Sequence, residues 1–200
     1  MATVSYPVVS HFLTVQGEGA WTGHAAYFIR LAGCDVGCPW CDTKESWSVD
    51  AHPVLTVAEL TSFARSSAAK IVVVTGGEPA MHDLSPLTTG LASAGCKIHL
   101  ETSGAYALTG AFDWVTMSPK KYMPPVKSVY ADTNELKVVV SHKSDFEWAE
   151  LHRALCREDA TLMLQPEWDS PHMLKPIVEY VKQNPDWIIS LQTQKYLNIP

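Results

Sequence analysis

No stretch of this 200-residue chain is long and apolar enough to cross a membrane as a helix. Positive charge is also scarce. Lys and Arg number 15 against 21 Asp and Glu, for a formal net charge of −6, which argues against general binding to nucleic acid or anionic membranes. No GxxxxGK[ST] phosphate loop, internal repeat or low-complexity tract is present. The first residues, MATVSYPVVSHFLTVQGEG, lack a basic segment followed by an apolar core and are not expected to form a secretory signal. Cysteines number only five, an odd count with three of them clustered. That pattern favours reduced thiols in a cytoplasmic protein over a disulfide framework.

What the chain does contain is enough apolar residue, 46%, to bury one core in a single domain spanning residues 1–200. Short runs rich in β-branched residues predict buried parallel strands at Ala26–Leu31, Ile71–Thr75, Ile98–Glu101, Trp114–Met117, Glu135–Val140, Thr161–Leu164 and Trp187–Gln192. Between them, helical periodicity predicts helices after Thr56, over Asp83–Ala94, over Ser144–Cys156 and over Ser170–Gln183. Thr56 with Glu59 and Ser144 with Glu147 have capping-box spacing, and Pro171 suits a first helical turn. The connections after Glu101 and after Met117 lack a long helix; the second, Ser118–Thr133, holds three prolines and reads as a loop. Alternating strands and helices imply right-handed crossovers. The expected fold class is therefore α/β, a partial and helix-poor parallel (β/α) barrel.

Polar motifs stand where the strands end. Cys34 follows the first predicted strand, TGGEP the second, ETSG the third, SPK the fourth and LQP the sixth. Parallel α/β folds build their sites at the carboxyl ends of strands.

Cys34, Cys38 and Cys41 are spaced C-x3-C-x2-C. Three thiolates can hold three irons of a [4Fe–4S] cluster and leave the fourth iron open, whereas electron-transfer clusters are closed by four cysteines. Zinc is the alternative on spacing alone, although no fourth ligand is evident nearby. Cys96 and Cys156 each sit in an apolar segment and read as buried thiols. Gly76-Gly77-Glu78-Pro79 suits either a tight turn or close approach of backbone to a ligand, with Glu78 able to accept from an ammonium. Arg30 lies inside an apolar strand, where a casual surface charge is not expected, and its fork matches a carboxylate. Thr43, directly after Cys41 and Asp42, can supply a hydroxyl to Mg2+ or cap a helix.

The pairing of C-x3-C-x2-C after one strand with GGEP at the end of the next resembles the radical S-adenosylmethionine (SAM) family. Taken with QGEG at 16–19, FIRLAGC at 28–34, WCDT at 40–43, ETSG at 101–104, SPK at 118–120 and KYLNIP at 195–200, the chain resembles the 7-carboxy-7-deazaguanine synthase family from residue 15 to residue 200. The resemblance implies a lyase that turns 6-carboxy-5,6,7,8-tetrahydropterin into 7-carboxy-7-deazaguanine, with loss of ammonia, for queuosine biosynthesis and the tRNA modification it serves. In that family the 5′-deoxyadenosyl radical from SAM takes the hydrogen on carbon 6 of the pterin. The cofactors implied are a [4Fe–4S] cluster, SAM and Mg2+; the partners implied are a second copy in a homodimer and a reductant such as flavodoxin.

Residue by residue, the resemblance implies that Cys34, Cys38 and Cys41 ligate the cluster and that Thr43 ligates Mg2+. SAM would meet Trp40, Cys41, Asp42, Gly77, Glu101, Ser118, Pro119, Lys120 and Gln165. The pterin would meet Val15, Gln16, Gly17, Glu18, Arg30, Thr75 and the terminal Pro200, with the final strand and tail closing the site. Related chains often carry histidine where Gln194 stands, so Gln194 is assigned no role. Two rivals fit parts of the pattern. A glycyl-radical activase shares the cysteine spacing but would need a groove for a protein loop, which the set Gln16, Glu18 and Arg30 does not suggest. A zinc-stabilised binding module would hold zinc in place of iron and sulfide.

Overall fold

The computed structural model describes residues 3–200; Met1 and Ala2, where the segment weighed as a leader begins, lie outside the described residues. The strands are β1 (Ser5–Val15), β2 (Ala25–Leu31), β3 (Val54–Thr56), β4 (Ile71–Gly76), β5 (Lys97–Thr102), β6 (Trp114–Met117), β7 (Glu135–Val140), β8 (Thr161–Pro166) and β9 (Trp187–Ile189). Among the described residues they form one sheet in the order β3-β1-β2-β4-β5-β6-β7-β8-β9. From β2 to β9 every neighbouring pair is parallel, while β1 runs antiparallel to both β2 and β3. The sheet does not close, so the expected partial barrel is what forms.

The helices are α1 (Val57–Ser66), α2 (Ser85–Ser93), α3 (Val129–Asp132), α4 (Asp145–Arg153), α5 (Leu174–Gln183) and α6 (Thr193–Leu197). At α1 the capping box forms as expected: Glu59 N–H donates to Thr56 Oγ1 at 3.2 Å and Thr56 N–H donates to Glu59 Oε2 at 2.8 Å. Such a cap is worth about 1 kcal/mol. The second expected box does not form. Ser144 adopts helical backbone angles and makes no side-chain cap. Asp145 instead accepts from the backbone N–H of Ser141 and His142, both at 2.8 Å, and pairs with Lys121. An N-cap residue needs extended backbone to reach the N–H three residues on, and Ser144, with φ −65° and ψ −12°, does not have it.

Three other readings change. The long strand β1 was not anticipated; a bulge between Val8 and Ser10 breaks its period-two pattern. The last strand stops at Ile189, short of Gln192, because Ser190 turns its hydroxyl to Gln165 Oε1 at 2.9 Å and accepts from Gly19 N–H at 3.0 Å. The expected loop Ser118–Thr133 carries the short α3. No helix separates β5 from β6, as expected.

Alternation along the strands divides two environments. Ile29, Leu31, Val72, Val74 and Leu100 pack against Leu60 of α1 and Leu87 and Leu91 of α2. Leu136, Val138 and Leu164 pack with Ala149 of α4, Ile177 of α5 and Trp187. Cys96 packs partly buried on the first cluster and Cys156 on the second. Their interleaved neighbours Arg30, Thr75, Glu101, Thr116, Lys137 and Gln165 line the concave side. A one-residue slip in any strand would exchange the two sets, so burial of the apolar face fixes which polar groups reach the concavity.

Candidate active site

The pocket lies at the carboxyl ends of the parallel strands, and it gathers nearly every residue singled out from the sequence. Cys34, Cys38 and Cys41 line it together. All three are free thiols, and they pack with Val36, Trp40, Ala105, Tyr106 and Met123. Burial pushes the Cys34 and Cys38 thiols above the ordinary cysteine value, and negative charge on the neighbouring thiols adds to the rise. Among the described residues no three His, Cys, Asp or Glu side chains converge on one point as a single-ion site requires. The three thiols therefore share a wall without closing on a mononuclear centre. A [4Fe–4S] cluster takes one thiolate per iron, so this donor set, with no fourth cysteine in the pocket lining, fits it.

Two glycines let β4 lie against the cysteine loop. Gly76 has φ +132°, and a β-carbon there would lie 2.0 Å from Leu31 O. A β-carbon on Gly77 would fall 2.3 Å from Gly33 O and 2.9 Å from Cys34 Cβ. These close approaches are to the chain itself, which is what the tight-turn alternative requires, and both glycines also line the pocket. Glu78 also departs from its reading as an ammonium acceptor. Its buried carboxylate accepts from Thr102 Oγ1 at 2.6 Å, Ser103 N–H at 2.7 Å, Ser103 Oγ at 2.5 Å and Ala80 N–H at 3.0 Å. Those donors fill its lone pairs. It staples the GGEP loop to the ETSG loop, holding the cysteine wall from behind.

Thr43 stands at the N-cap position of a 3-10 turn over Lys44–Trp47 but makes no side-chain cap hydrogen bond. Thr43 lines the pocket, its hydroxyl 3.5 Å from Asp42 Oδ1 and 3.9 Å from Cys41 Sγ. A hydroxyl not used in capping, facing the pocket, suits a hard cation. Mg2+ keeps several waters and needs only one or two protein oxygens, so a site of this kind need not gather three carboxylates.

On the side expected for SAM, Trp40, Asp42, Gly77, Glu101, Ser118, Lys120 and Gln165 line the pocket; Pro119 is buried but does not. Lys120 donates to Ser118 Oγ at 2.5 Å and sits 5.1 Å from the Trp40 ring centre. Desolvation lowers its pKa, opposed by the charge of Cys38. On the side expected for the pterin, Val15, Gln16, Gly17, Glu18, Arg30, Thr75 and Pro200 all line the pocket. Arg30 Nε is buried without a hydrogen-bond partner, and the guanidinium lies 5.3 Å from the Phe12 ring centre. Among the described residues it forms no ion pair.

Glu18 is the most heavily bonded group there. Its Oε2 accepts from Lys137 Nζ at 2.6 Å and Gln165 Nε2 at 3.1 Å, and its Oε1 accepts from Gln192 Nε2 and Gln194 Nε2, both at 2.9 Å. Burial alone would raise its pKa, but Lys137 and the amide donors lower it, so Glu18 is an anion. The tail reaches the same place. Thr193 donates to Gly17 O through both its N–H and its hydroxyl, Lys195 Nζ lies 3.4 Å from Asp42 Oδ2, and Pro200 O accepts from Thr14 Oγ1 at 3.3 Å.

Lys137 and Gln192 were not anticipated. Lys137 carried a signal that could have found it: like Arg30, it is a lone cation inside an apolar strand, ELKVVV. Gln192 had none, because it was read as strand. Gln194, left without a role, faces the pocket with its Oε1 buried and unpartnered.

No family model matches the chain. It is 50% identical over 199 residues to a 7-carboxy-7-deazaguanine synthase of Synechocystis sp., covering 100% of this chain and 96% of that protein. It is 50% identical over 195 residues to the enzyme of that name from Flavobacterium psychrophilum, covering 97% and 92%, and 34% identical over 224 residues to the one from Escherichia coli K12, covering 98% and 100%. The crystal structure of QueE from Escherichia coli superposes with a TM-score of 0.83 at 32% identity, covering 94% of each chain.

Proposed function

This chain belongs to the 7-carboxy-7-deazaguanine synthase family, and on that premise we propose that its pocket carries out the family's SAM-dependent ring contraction of 6-carboxy-5,6,7,8-tetrahydropterin. The observation that carries this reading is the joining, in one pocket, of a three-thiol wall and an unpaired arginine with an anionic glutamate. When bound, the cluster and SAM supply one-electron bond cleavage and a hydrogen-abstracting radical.

The protein's own groups bind, orient and exclude water. Cys34, Cys38 and Cys41 would hold the cluster. Lys120, Ser118, Glu101 and Gln165 would supply the charge and hydrogen bonds that an amino acid and a ribose need. Gln16 offers an acceptor to the amino-pyrimidine edge of a pterin, Glu18, its lone pairs already taken by Lys137 and three amides, supplies a fixed negative charge beside it, and Arg30 offers a planar fork to its carboxylate. The deciding experiment is anaerobic reconstitution with iron and sulfide, then incubation with SAM, reductant and the carboxytetrahydropterin. Appearance of 7-carboxy-7-deazaguanine by mass is expected; SAM cleavage without it would sink the pterin assignment.

Two further results are expected. Thr43→Ala should lower turnover and blunt the response to added Mg2+ while iron and sulfide content stay unchanged. Unaltered Mg2+ dependence in that variant would leave Thr43 a loop residue only. Pro200 lines the pocket while itself solvent-exposed, and ten residues appended after it would remove the terminal carboxylate that the family likeness assigns to the pterin. Such an extension should cripple turnover; full activity would show that Pro200 only packs.

Among the described residues no helix is long and apolar enough to cross a membrane. A homodimer, a flavodoxin-like reductant and a cytoplasmic setting are inferred from the family likeness, and sedimentation together with reduction assays addresses the first two.

A further inference from the structure

Lys137 projects from β7 into the pocket with its side chain 5% exposed. Its Nζ lies 2.6 Å from Glu18 Oε2 and 3.5 Å from Glu101 Oε2. The two carboxylates are joined a second way. Gln16 Nε2 donates to Glu101 Oε1 at 2.8 Å, and Gln16 Oε1 accepts from the Glu18 N–H at 3.1 Å. Lys137, Glu18, Gln16 and Glu101 thus close a ring that joins β7, β5 and the turn after β1. Glu18 and Glu101 line the same pocket, Glu18 among the residues expected to meet the pterin and Glu101 among those expected to meet SAM.

We propose that Lys137 is a positioning residue that couples the two halves of the site, so that seating one ligand orders the carboxylate that receives the other. The inference rests on the functional reading above, which places the pterin at Glu18 and SAM at Glu101. One ammonium shared by two partly buried carboxylates fixes their separation. Movement of either changes its distance to the shared cation, and coupling between binding sites is reciprocal. Desolvation would lower the Lys137 pKa, but Glu101, Glu18 and Glu135 raise it above the ordinary lysine value. Lys137 therefore keeps its proton and acts as a fixed charge, not as a base.

Removing the charge leaves Glu18 and Glu101 sharing one space with no cation between them. Like charges disfavour joint ionisation, so without Lys137 protonation of one carboxyl becomes easier than in the wild type. The charged groups facing this pair are Lys137 and Glu135 from β7, Lys120 after β6 and Arg30 from β2. Lys120 and Arg30 line the same pocket but pair with neither carboxylate.

The test is calorimetric titration of the reconstituted, unreduced protein with SAM and with the carboxytetrahydropterin, each alone and with the other saturating, from about pH 6 to about pH 8. In the wild type each ligand should tighten the other by at least about fivefold, with little change in pterin affinity across that range. In Lys137→Met the mutual tightening should fall within about twofold, and pterin affinity should rise with pH as Glu18 regains its charge. Lys137→Arg, which keeps the charge, should restore the tightening and the flat profile. Lys137→Gln serves in place of Met if that variant does not fold, with the same loss expected.

Wild-type coupling and a flat profile in Lys137→Met would overturn the proposal. So would equal loss in Met and Arg variants without pH dependence, which would mark a purely steric role. A wild type that binds both ligands without coupling also overturns it and leaves the functional reading standing. A wild type that binds no pterin overturns the functional reading itself.

Discussion

Cys34→Ala, Cys38→Ala and Cys41→Ala are each expected to abolish iron and acid-labile sulfide after anaerobic reconstitution, and with them all cleavage of SAM. The three thiols line one wall of the pocket, and no other cysteine lines it. Each would serve a different iron, so loss of any one opens a second iron to solvent. Cys96→Ala and Cys156→Ala should retain iron, sulfide and SAM cleavage, because those thiols pack against the two apolar clusters outside the sheet. Burial also pushes the Cys156 thiol up to about 11, which suits an inert packing group. The measurement is metal and sulfide analysis beside the visible absorption of the cluster. Loss of the cluster in Cys96→Ala would contradict the three-thiol assignment, and one zinc per chain in the wild type would replace it with a zinc site.

Arg30→Ala is expected to weaken pterin binding more than about tenfold while leaving SAM affinity nearly unchanged. The guanidinium lines the pocket with Nε buried and unpartnered, held by Phe12 at 5.3 Å from its ring centre. An arginine held in that way is short of an anion, and the pterin brings a carboxylate. Losing a desolvated, charge-assisted pair costs roughly 2–5 kcal/mol, and tenfold corresponds to about 1.4 kcal/mol, so the effect exceeds measurement error easily. Arg30→Lys should recover only part of the loss, since an ammonium cannot make the two parallel bonds of a fork. Titration of both ligands decides. Equal loss of SAM and pterin would move Arg30 to the cofactor or to folding.

The particular residues show why some of this was readable in the chain and some was not. Cys34, Cys38 and Cys41 are seven positions apart at most, and their chemistry follows from type and spacing. Arg30 stood out because a cation inside FIRL has no ordinary reason to be there. Lys137 presents the same anomaly inside ELKVVV and could have been found the same way. The strands at Trp114–Met117 and Glu135–Val140 begin and end where their apolar runs do. β1 was hidden because a bulge at Val8–Ser10 shifts its alternation. The Ser144 cap did not form because Ser144 itself takes helical backbone angles, which spacing along the chain does not reveal.

The sequence alone determined which apolar runs become parallel strands, the three-thiol motif and the family likeness, because these depend on local composition and on spacing along the chain. Only the tertiary structure decided which groups meet across it. Glu78 is 24 residues from Thr102, and their hydrogen bond turned a supposed ligand acceptor into a staple. Gln192 and Gln194, more than 170 residues from Glu18, fill the lone pairs of Glu18 Oε1. Lys137 sits 119 residues from Glu18 and still holds it at 2.6 Å. Hydrogen bonds and ion pairs act over a few ångströms regardless of sequence separation. The partners of a buried charge are therefore set by how the strands stack, and a linear pattern does not carry that information.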